Sequence, residues 1–540
     1  MAGPDNAAIA LELETLASLL DLAGSSYYSV RAYRRAAELI RRTPAPVSEL
    51  VRSGRVRELH GIGASIEGRL RELVETGRLA EIEELTGEVQ PELVGLGRLV
   101  GLGPQRMVAI GRALGIRSAA ELRRAVGEGR LREVPGIGPS AEAKIRRALE
   151  RPRPAARRGL TLNRSRQLVD GIAEALGGEP AGDPRRFRDA SELLAVVVAA
   201  ARPAEVLDCF AALPEIVSIV EREERRALGV TVEGVPVELV VASPERFGTE
   251  LLRATGSDAY VTALGPLPDA PDESGVYRGL GLPFLPPELR EEPYSGAPPE
   301  LVRQPSIRGD LHVHTTWSDG KATVLEMAEA ARDLGYEYVA ICDHTRAVHV
   351  VPGLDADDIR RQADEIAAVN QQLAPFHVLC GSECDILADG SLDLPDDVLA
   401  ALDWVQASVH AGQRQSRDQL TKRTLAAVSH PTVRSISHPQ GRIINHRPPN
   451  DVDLEAVFAA CAETGTAVET NGLPDRIDLS SELVREAIHA GVRITCSTDA
   501  HSVRGLQNMR LAVATARRGW ATAADVLNTR PLAEISRGKR

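Results

Sequence analysis

The segment DLHVHTTWSDG, Asp310–Gly320, decides the fold of the C-terminal half of the chain. It begins as a short apolar strand in which His312 and His314 lie two residues apart, so both imidazoles project from one face. Helical patterns separate nearly all of the six strand-like segments that follow: YVAIC (338–342), HVLCG (377–381), WVQASV (404–409), SISH (435–438), TAVET (466–470) and VRITCS (492–497). Repeated strand–helix units predict a parallel sheet, and seven of them predict a closed or nearly closed barrel.

Histidines and carboxylates cluster where these strands end. Eleven of the twelve histidines lie between His312 and His501. The chemistry of a parallel barrel takes place at the C-terminal ends of its strands, so side chains that follow different strands meet there. We predict one multinuclear metal site with nine ligands: His312, His314, Asp319, His344, Glu383, His410, His438, Asp499 and His501.

This ligand set limits the metal and the reaction. Mixed imidazole and carboxylate donors suit Mn, Zn or Fe better than Mg or Ca. A cluster of such ions can generate hydroxide at neutral pH and can hold both the attacking and the leaving oxygen of a phosphoester. The sequence therefore predicts a metal-dependent phosphoesterase in which His312, His314, His344 and Asp499 act through the metal-activated water.

The composition is typical of a soluble protein with several domains. The chain has 540 residues, 43% of them hydrophobic and 26% charged, which predicts three or four globular domains. The longest apolar run, Leu193–Ala201, is too short to span a membrane. The N-terminus lacks the pattern of a secretory signal, and the six cysteines show no paired framework, which favours a cytoplasmic protein.

The N-terminal third is basic, although the whole chain carries a net charge of −12. Residues 1–158 hold 26 Lys and Arg against 20 Asp and Glu. A Gly-x-Gly hairpin before a helical pattern occurs here three times, at Gly61 and Gly63, at Gly101 and Gly103, and at Gly136 and Gly138. Such turns present backbone N–H groups at a helix N-terminus, which suits a DNA phosphate. They resemble helix-hairpin-helix motifs, which implies binding to the DNA backbone without sequence specificity. Purely structural turns are the alternative.

A further resemblance, to the PHP (polymerase and histidinol phosphatase) domain, is carried by DLHVHTTWSDG, CDHT (342–345), GSECDILADGSLDLPD (381–396), ASVH (407–410), SHPQGR (437–442) and STDAH (497–501). The subtype resembles the PHP domain at the C-terminus of bacterial family X DNA polymerases, through ETNGLPDRIDLS (469–480) and NMRLAVATARRGWATAADVLNT (508–529). The resemblance implies a distorted (β/α)7 barrel, three divalent metal ions on the nine ligands, and phosphate contacts by Arg442 and Arg476. It also implies a bacterial cytoplasmic protein.

The resemblance to this family extends along nearly the whole chain. Residues 8–42 have the apolar spacing of amphipathic helices, and VRAYRRAAELI (30–40) looks like the family's opening helical domain. LPEIVSIV (213–220) and SPERFGTELLRATGS (243–257) look like its polymerase palm. We expect an α-helical DNA-binding domain with helix-hairpin-helix motifs at 1–150, a degenerate α+β nucleotidyltransferase-like palm at 159–265, a linker at 266–306 and the PHP phosphoesterase domain at 307–540.

The palm lacks the catalytic carboxylates of the family. Nucleotidyl transfer needs an Asp-x-Asp pair on one strand and a third carboxylate on the neighbouring strand to hold two Mg²⁺ ions. Here the pair falls near Leu193 and Ala195, the third position holds Glu238, and the family's Gly-Ser pair appears as Gly182-Asp183. An apolar strand cannot bind magnesium, so we expect an inactive polymerase domain.

The leading hypothesis is a metal-dependent phosphoesterase that acts on DNA during repair. It would be a 3′→5′ exonuclease or 3′-end-processing enzyme, or an abasic-site endonuclease. Three alternatives stay open: a small-molecule phosphatase of the histidinol-phosphatase kind, an active gap-filling DNA polymerase, and a non-catalytic DNA-binding scaffold. The hairpins argue against the first, Leu193 and Ala195 against the second, and the complete ligand set against the third.

Overall fold

The chain folds into two compact units. The computed structural model describes residues 6–23, 25, 27–43, 46–59, 61–88, 96–97, 102, 104–116, 118–150, 159–231, 233–349 and 351–535. The first unit comprises Met1–Arg157, Ile172–Glu179 and Glu192–Ser243, and the second comprises Arg158–Gly171, Pro180–Ser191 and Pro244–Arg540. Residues 159–265 contribute to both units, and the domain limits drawn from the sequence stay a prediction.

The N-terminal part of the first unit is helical. Its helices are Asn6–Leu22, Tyr27–Arg42, Val47–Arg52, Ala64–Thr76, Ala80–Glu88, Pro104–Leu114, Ala119–Gly127 and Pro139–Glu150. The apolar stripes of the first two helices face each other, and Leu16, Tyr33 and Ile40 are buried in one hydrophobic cluster. The helical spacing predicted over residues 8–42 is therefore confirmed.

Strands are numbered in chain order. The first three are short: β1 (Leu160–Thr161), β2 (Glu179–Ala181) and β3 (Ala190–Ser191). A mixed sheet in the first unit contains β4 (Leu194–Ala199), β5 (Ser218–Arg222), β6 (Arg226–Val230) and β7 (Pro236–Ala242), in the order β4-β7-β6-β5. β4 and β7 are parallel, whereas β6 is antiparallel to both of its neighbours. Helix Leu162–Leu176 precedes β2, and helix Pro203–Ala211 lies between β4 and β5 in the chain.

The second unit is built on a parallel sheet of seven strands: β8 (Gly309–Val313), β9 (Tyr338–Ile341), β10 (His377–Asp385), β11 (Trp404–Ser408), β12 (Val433–Ile436), β13 (Ala467–Asn471) and β14 (Ile494–Ser497). The strands are neighbours in chain order, and every neighbouring pair is parallel. The sheet nearly closes, because Val313 at the end of β8 bridges to Ala500 after β14. This confirms the predicted barrel and gathers the C-terminal strand ends around one mouth.

Helices connect the barrel strands: Val324–Asp333, Ala356–Leu373, Asp396–Ala401, Arg417–Ser429, Leu454–Thr464 and Ser481–His489; helix Met509–Arg518 follows the last strand. The first of them begins with a capping box, in which Thr323 accepts from the Glu326 N–H and Glu326 accepts from the Thr323 N–H. Two other helices begin with equivalent boxes. Each box satisfies N–H groups that a helix start leaves without partners, so the sequence itself fixes where these helices begin.

The segment 266–306, predicted as a linker, is well packed. It contains helix Glu273–Leu280, and Phe247–Thr255 and Asp258–Leu264 precede it. Tyr277 and Leu285 are buried in a cluster with residues of these preceding helices. The prolines, glycines and acidic residues of this segment predict a connector, and its few apolar side chains share this cluster. The role of the segment as a linker between domains stays a prediction.

No helix in the described ranges is long and apolar enough to cross a membrane. The six cysteines are unpaired, and Cys209 alone among them is exposed. The last described element is a short helix, Leu532–Ile535.

Candidate metal centre

The end of β8 brings two imidazoles together. His312 and His314 are fully buried, and their Nε2 atoms lie 3.1 Å apart. Strand alternation puts both side chains on the face that lines the barrel. Both nitrogens point at one spot, so a cation that accepts both lone pairs would suit the geometry.

Three overlapping groups of imidazole and carboxylate side chains surround this pair. Each group offers ligand atoms that all lie within 4.8 Å of one another: His314 with Asp319, His344 and His501; His312 with His314 and Asp499; and His344 with Glu383 and His410.

In the first group, Oδ2 of Asp319 lies 3.2 Å from Nε2 of His501, and Oδ1 lies 3.7 Å from Nε2 of His344. In the second, Oδ1 of Asp499 lies 3.1 Å from Nε2 of His314. These carboxylates therefore lie between imidazoles that come from different strand ends.

In the third group, Glu383 is the central carboxylate. Its Oε2 lies 3.0 Å from Nδ1 of His344, and its Oε1 lies 3.6 Å from Nε2 of His410. Nε2 of His438 is also 2.9 Å from Oε1 of Glu383. The structure thus brings all nine predicted ligands to one barrel mouth.

Several of these ligand atoms lack a hydrogen bond from the described residues. Nδ1 of His314 is buried without a hydrogen-bond partner, and Nδ1 of His344 and Oε2 of Glu383 are buried and lie 3.0 Å apart without forming a hydrogen bond. Buried polar atoms are usually paired, because leaving one unsatisfied costs free energy. A bound cation would satisfy these atoms, so the residues present fit a divalent metal ion.

The electrostatics support cation binding. Burial, together with His501 and His344, lowers the pKa of His314 to about 4, so this imidazole is neutral at neutral pH. Burial would raise the pKa of Asp499, but the charge of protonated His312 helps to hold it well below its usual range. Burial would lower the pKa of His312, but the carboxylates of Glu469 and Glu383 in turn raise it well above 6.5. Because a neutral imidazole and a charged carboxylate are the forms that bind metal ions, a bound cation would replace the proton on His312.

Sequence reasoning missed Glu469, on β13. The carboxylate is fully buried, and it accepts from Nδ1 of His312 at 2.8 Å and from the backbone N–H of His438 at 2.8 Å. A carboxylate on the far nitrogen of a ligating imidazole orients the ring and raises its basicity. The available signal was the lone acidic residue in the apolar strand TAVET, the only predicted strand to which no site residue was assigned.

Asp385 plays a similar part beside His410. Its carboxylate accepts from the backbone N–H of His410 at 3.1 Å and lies 3.2 Å from Nδ1 of the same residue. Asp343 instead supports a loop, because it accepts from the N–H and Oγ1 of Thr315 at 2.8 and 2.6 Å and from Oγ of Ser318 at 2.5 Å. This loop leads directly into Asp319.

The two predicted phosphate-contact arginines differ in their surroundings. Arg442 donates from Nε to the Arg476 carbonyl at 3.1 Å and from Nη2 to the Ile477 carbonyl, and its Nη1 lies 2.7 Å from Oδ2 of Asp189. Arg476 has a buried Nη1 without a hydrogen-bond partner, and its Nε lies 4.0 Å from Oδ2 of Asp499. Arg476 therefore has donor capacity left at the edge of the metal centre.

Two of the three hairpins lie in the described residues and are alike. Gly61 and Gly136 have φ angles of +113° and +84°, which favour glycine. Gly63 and Gly138 stand before the following helices and accept from the fourth residue after them. The third pair, Gly101 and Gly103, lies outside the described residues.

The strand predicted to have lost the polymerase carboxylates is buried. Ala195 on β4 is 1% exposed and pairs in register with Glu238 on β7. Oε1 of Glu238 lies 3.0 Å from Nη1 of Arg226. The third carboxylate position is therefore opposite an apolar residue, and its charge is paired with an arginine.

Comparison with known proteins identifies the same regions. A family model described as a helix-hairpin-helix domain matches residues 4–79, and one described as a PHP domain matches residues 310–447. Probable phosphatases of Acetivibrio thermocellus and Aliivibrio fischeri are each 30% identical, over 201 and 209 residues, which is 36% of this chain and 78% of theirs.

A longer match covers nearly the whole chain. The DNA polymerase/3′-5′ exonuclease PolX of Bacillus subtilis (strain 168) is 33% identical over an alignment of 558 positions, which covers 97% of each chain. These similarities confirm the predicted fold class and the prediction that the protein is a hydrolytic enzyme with a PHP domain. The chain belongs to the bacterial PolX family, the family X DNA polymerases that carry a C-terminal PHP domain.

Proposed function

We propose that this protein is a metal-dependent 3′→5′ exonuclease or 3′-end-processing enzyme that acts in bacterial DNA repair. The observation that carries the proposal is the convergence of nine imidazole and carboxylate side chains at the barrel mouth of a chain that also holds hairpins of the helix-hairpin-helix kind. The name of the Bacillus subtilis relative includes the same exonuclease activity.

The metal site is proposed to hold three divalent ions, one for each of the overlapping ligand groups. Mixed nitrogen and oxygen donors favour Mn, Zn or Fe. When bound, such ions act as Lewis acids toward a phosphoryl group and lower the pKa of water. His312, His314, Asp319, His344, Glu383, His410, His438, Asp499 and His501 are the proposed ligands.

The side chains around the ligands have their own proposed parts. Glu469 holds His312 so that Nε2 faces the centre, and it fixes the backbone of His438. Arg476 supplies the free donor for a non-bridging phosphate oxygen, because its Nη1 has no hydrogen-bond partner among the residues that the structure describes. Guanidinium groups suit phosphate, since they offer parallel charged donors.

DNA is proposed to bind through the hairpins of the first unit. Gly61, Gly63, Gly136 and Gly138 shape turns that precede helices, and Gly101 and Gly103 are proposed to act in the same way. Backbone N–H contacts to phosphates carry no sequence information, so binding should be nonspecific. The six unpaired cysteines suit the reducing bacterial cytoplasm where repair takes place.

The polymerase palm is proposed to be inactive. Two metal ions need three carboxylates at one spot, whereas Ala195 is apolar and Glu238 is paired with Arg226. The palm-like segments would then serve as scaffold.

A small-molecule phosphatase is the second candidate, because the barrel alone matches proteins named as probable phosphatases. Abasic-site cleavage would use the same metal centre on an internal phosphodiester. A non-catalytic scaffold is disfavoured by the complete ligand set.

One assay separates these functions. The purified full chain is incubated with Mn²⁺ and an end-labelled gapped duplex, with and without nucleotides, and in parallel with p-nitrophenyl phosphate. Stepwise shortening from the 3′ end supports the proposal, and a single internal cut at an abasic site indicates the endonuclease. Lengthening would show an active polymerase. Turnover of p-nitrophenyl phosphate with intact DNA would favour the phosphatase, and no reaction at all would favour the scaffold.

A further inference from the structure

Two loops beside the metal centre are joined by hydrogen bonds. The β12 loop (438–450) follows β12, and the β13 loop (472–480) follows β13. The N–H of Gln440 donates to Oδ1 of Asp478 at 3.0 Å, and the N–H of Ile444 donates to the Asp475 carbonyl at 2.7 Å. A shift of one loop would therefore move the other.

Arg442 is the main side-chain link between these loops. It lies in the β12 loop, and its Nε and Nη2 donate to the carbonyls of Arg476 and Ile477 in the β13 loop. Its side chain is only 13% exposed. The position of the Arg476 backbone thus depends on how the guanidinium of Arg442 is held.

The guanidinium of Arg442 is held by a carboxylate from far away in the sequence. Oδ2 of Asp189, just before β3, lies 2.7 Å from Nη1 of Arg442. The same palm-like segment touches the β12 loop again, because Asn445 donates from Nδ2 to the Gly159 carbonyl at 2.8 Å. Leu162 is buried against Ile477 of the β13 loop. Residues 159–171 and 180–191 therefore form part of the wall around the barrel mouth.

We propose that Asp189 is a positioning residue for hydrolysis: through Arg442 it fixes the β13 loop so that Arg476 presents its free donor to the substrate phosphate. The inference rests on the proposed function, because it requires Arg476 to contact a phosphodiester. It also gives the palm-like segment a part in the hydrolytic site, although this segment does not lie among the metal ligands.

The carboxylate of Asp189 suits this part because it acts at a distance from the metals. Arg442 uses Nε and Nη2 for the two carbonyls, which leaves Nη1 to be oriented by a partner. A charged partner fixes the guanidinium plane better than water, because charge-assisted bonds are stronger and more directional. Without it, Arg442 could rotate, and both carbonyl contacts would weaken together.

The test is a double-mutant cycle in the full-length chain with Mn²⁺ and a single-stranded oligonucleotide. Asp189→Asn should lower kcat/KM by about 10-fold and Arg476→Gln by about 100-fold, as expected for the loss of one charged contact. Because both changes act on the same contact, the double variant should resemble Arg476→Gln within about 2-fold. Asp189→Glu should recover most of the activity. A nucleoside 5′-monophosphate, used as product inhibitor, should bind more weakly to Asp189→Asn.

The matched control is Asp170→Asn, which removes another arginine-paired carboxylate from the same palm-like segment, 2.8 Å from Nη2 of Arg166. It should leave kcat/KM unchanged. All variants are assayed well below their melting temperatures. Multiplicative losses in the double variant, or wild-type activity of Asp189→Asn, would overturn the inference while leaving the exonuclease intact. An inactive wild-type protein would remove the proposed function and this inference together.

Discussion

Oε1 of Glu469 lies 2.8 Å from Nδ1 of His312, while Nε2 of the same ring lies 3.5 Å from Oε2 of Glu383. The imidazole of His312 is thus held from one side and directed at the proposed ligands on the other. The carboxylate of Glu469 also accepts from Nε2 of Gln406 at 2.8 Å, so the orientation of Glu469 is fixed as well. The buried carboxylate of Glu469 therefore orients His312, although the two residues lie far apart in the sequence and on strands that are not neighbours.

Replacing this glutamate should weaken metal binding. We expect Glu469→Gln to lower the affinity for Mn²⁺ by about 10–100-fold, because the imidazole of His312 loses a charged acceptor and becomes a weaker ligand. Equilibrium dialysis and the Mn²⁺-dependent rise in melting temperature measure this directly. Glu486→Gln, at an exposed position on helix Ser481–His489, is the control. Wild-type affinity in Glu469→Gln would show that the hydrogen bond to His312 is dispensable.

Loss of a proposed ligand should separate hydrolysis from DNA binding. His312→Ala and Asp499→Ala should each reduce hydrolysis to background, because the ligand groups that share these residues are broken. Duplex DNA should bind as tightly as it does to the wild type, since the hairpins are unchanged. Activity assays and fluorescence anisotropy measure the two properties on the same preparations. An equal loss of binding would mean that the barrel, rather than the N-terminal unit, holds the DNA.

The barrel and its ligands could be predicted because strand periodicity is local. His312 and His314 share a face whatever surrounds them, and the residues after each parallel strand must meet at one mouth. Glu469 was missed because the role of a buried acid in an apolar strand can be assigned only when its partner, here His312 on a distant strand, is known. The pairing of Arg442 with Asp189 was missed for a related reason, since the two residues are over 250 positions apart in the sequence, and the phosphate contact of Arg442 stays a prediction. A local sequence pattern does not show which residues pair when they lie far apart in the chain.

The hairpin glycines should be required for DNA binding. Gly61→Ala with Gly136→Ala places a Cβ at φ angles of +113° and +84°, where L-residues are strained, so the two turns should distort. We expect duplex DNA to bind about 10-fold more weakly or worse, and with a shallower dependence on salt, because fewer phosphates are contacted. Gly77→Ala, at φ +77° but after helix Ala64–Thr76, is the matched control. Unchanged binding in the double variant would favour purely structural turns.

The buried ion pairs of Glu273 should make stability depend on pH. Burial would raise the pKa of Glu273, but hydrogen bonds from Arg185 and the charge of fully buried Arg290 outweigh it and lower the pKa. A lowered pKa contributes stability above the unfolded value of about 4.3, and this contribution is lost as pH falls through the folded value. Glu273→Gln should therefore lower the free energy of unfolding by about 3–5 kcal/mol at pH 7, since Arg290 is left unpaired.

The difference in the free energy of unfolding between wild type and Glu273→Gln should narrow below about pH 4, because Glu273 of the unfolded wild type is then protonated. Denaturant unfolding at pH 7, 5 and 3.5 measures it. Glu337→Gln, which removes an exposed partner of Arg308, should change stability little at any pH. A constant gap across the pH range would show that the charge of Glu273 does not stabilise the fold.

Reinstalling the polymerase carboxylates should not restore synthesis. Leu193→Asp with Ala195→Asp recreates the Asp-x-Asp pattern at the start of β4, where position 195 lies opposite Glu238 in register. The third carboxylate, however, is neutralised by Arg226 at 3.0 Å, so the three charges would not converge on free metal ions.

The double substitution should instead destabilise the first unit. Ala195 is 1% exposed, and an unpaired carboxylate at such a position costs several kcal/mol, so we expect a loss of about 2–5 kcal/mol in the free energy of unfolding. Primer extension and a denaturant melt of the variant measure both effects, with Ala195→Ser as a control for size. Nucleotide incorporation by the variant would mean that the aspartates alone were missing. Incorporation by the unmodified protein would mean that the catalytic strand lies elsewhere, because the apolar surroundings of Ala195 cannot hold the two magnesium ions that nucleotidyl transfer requires.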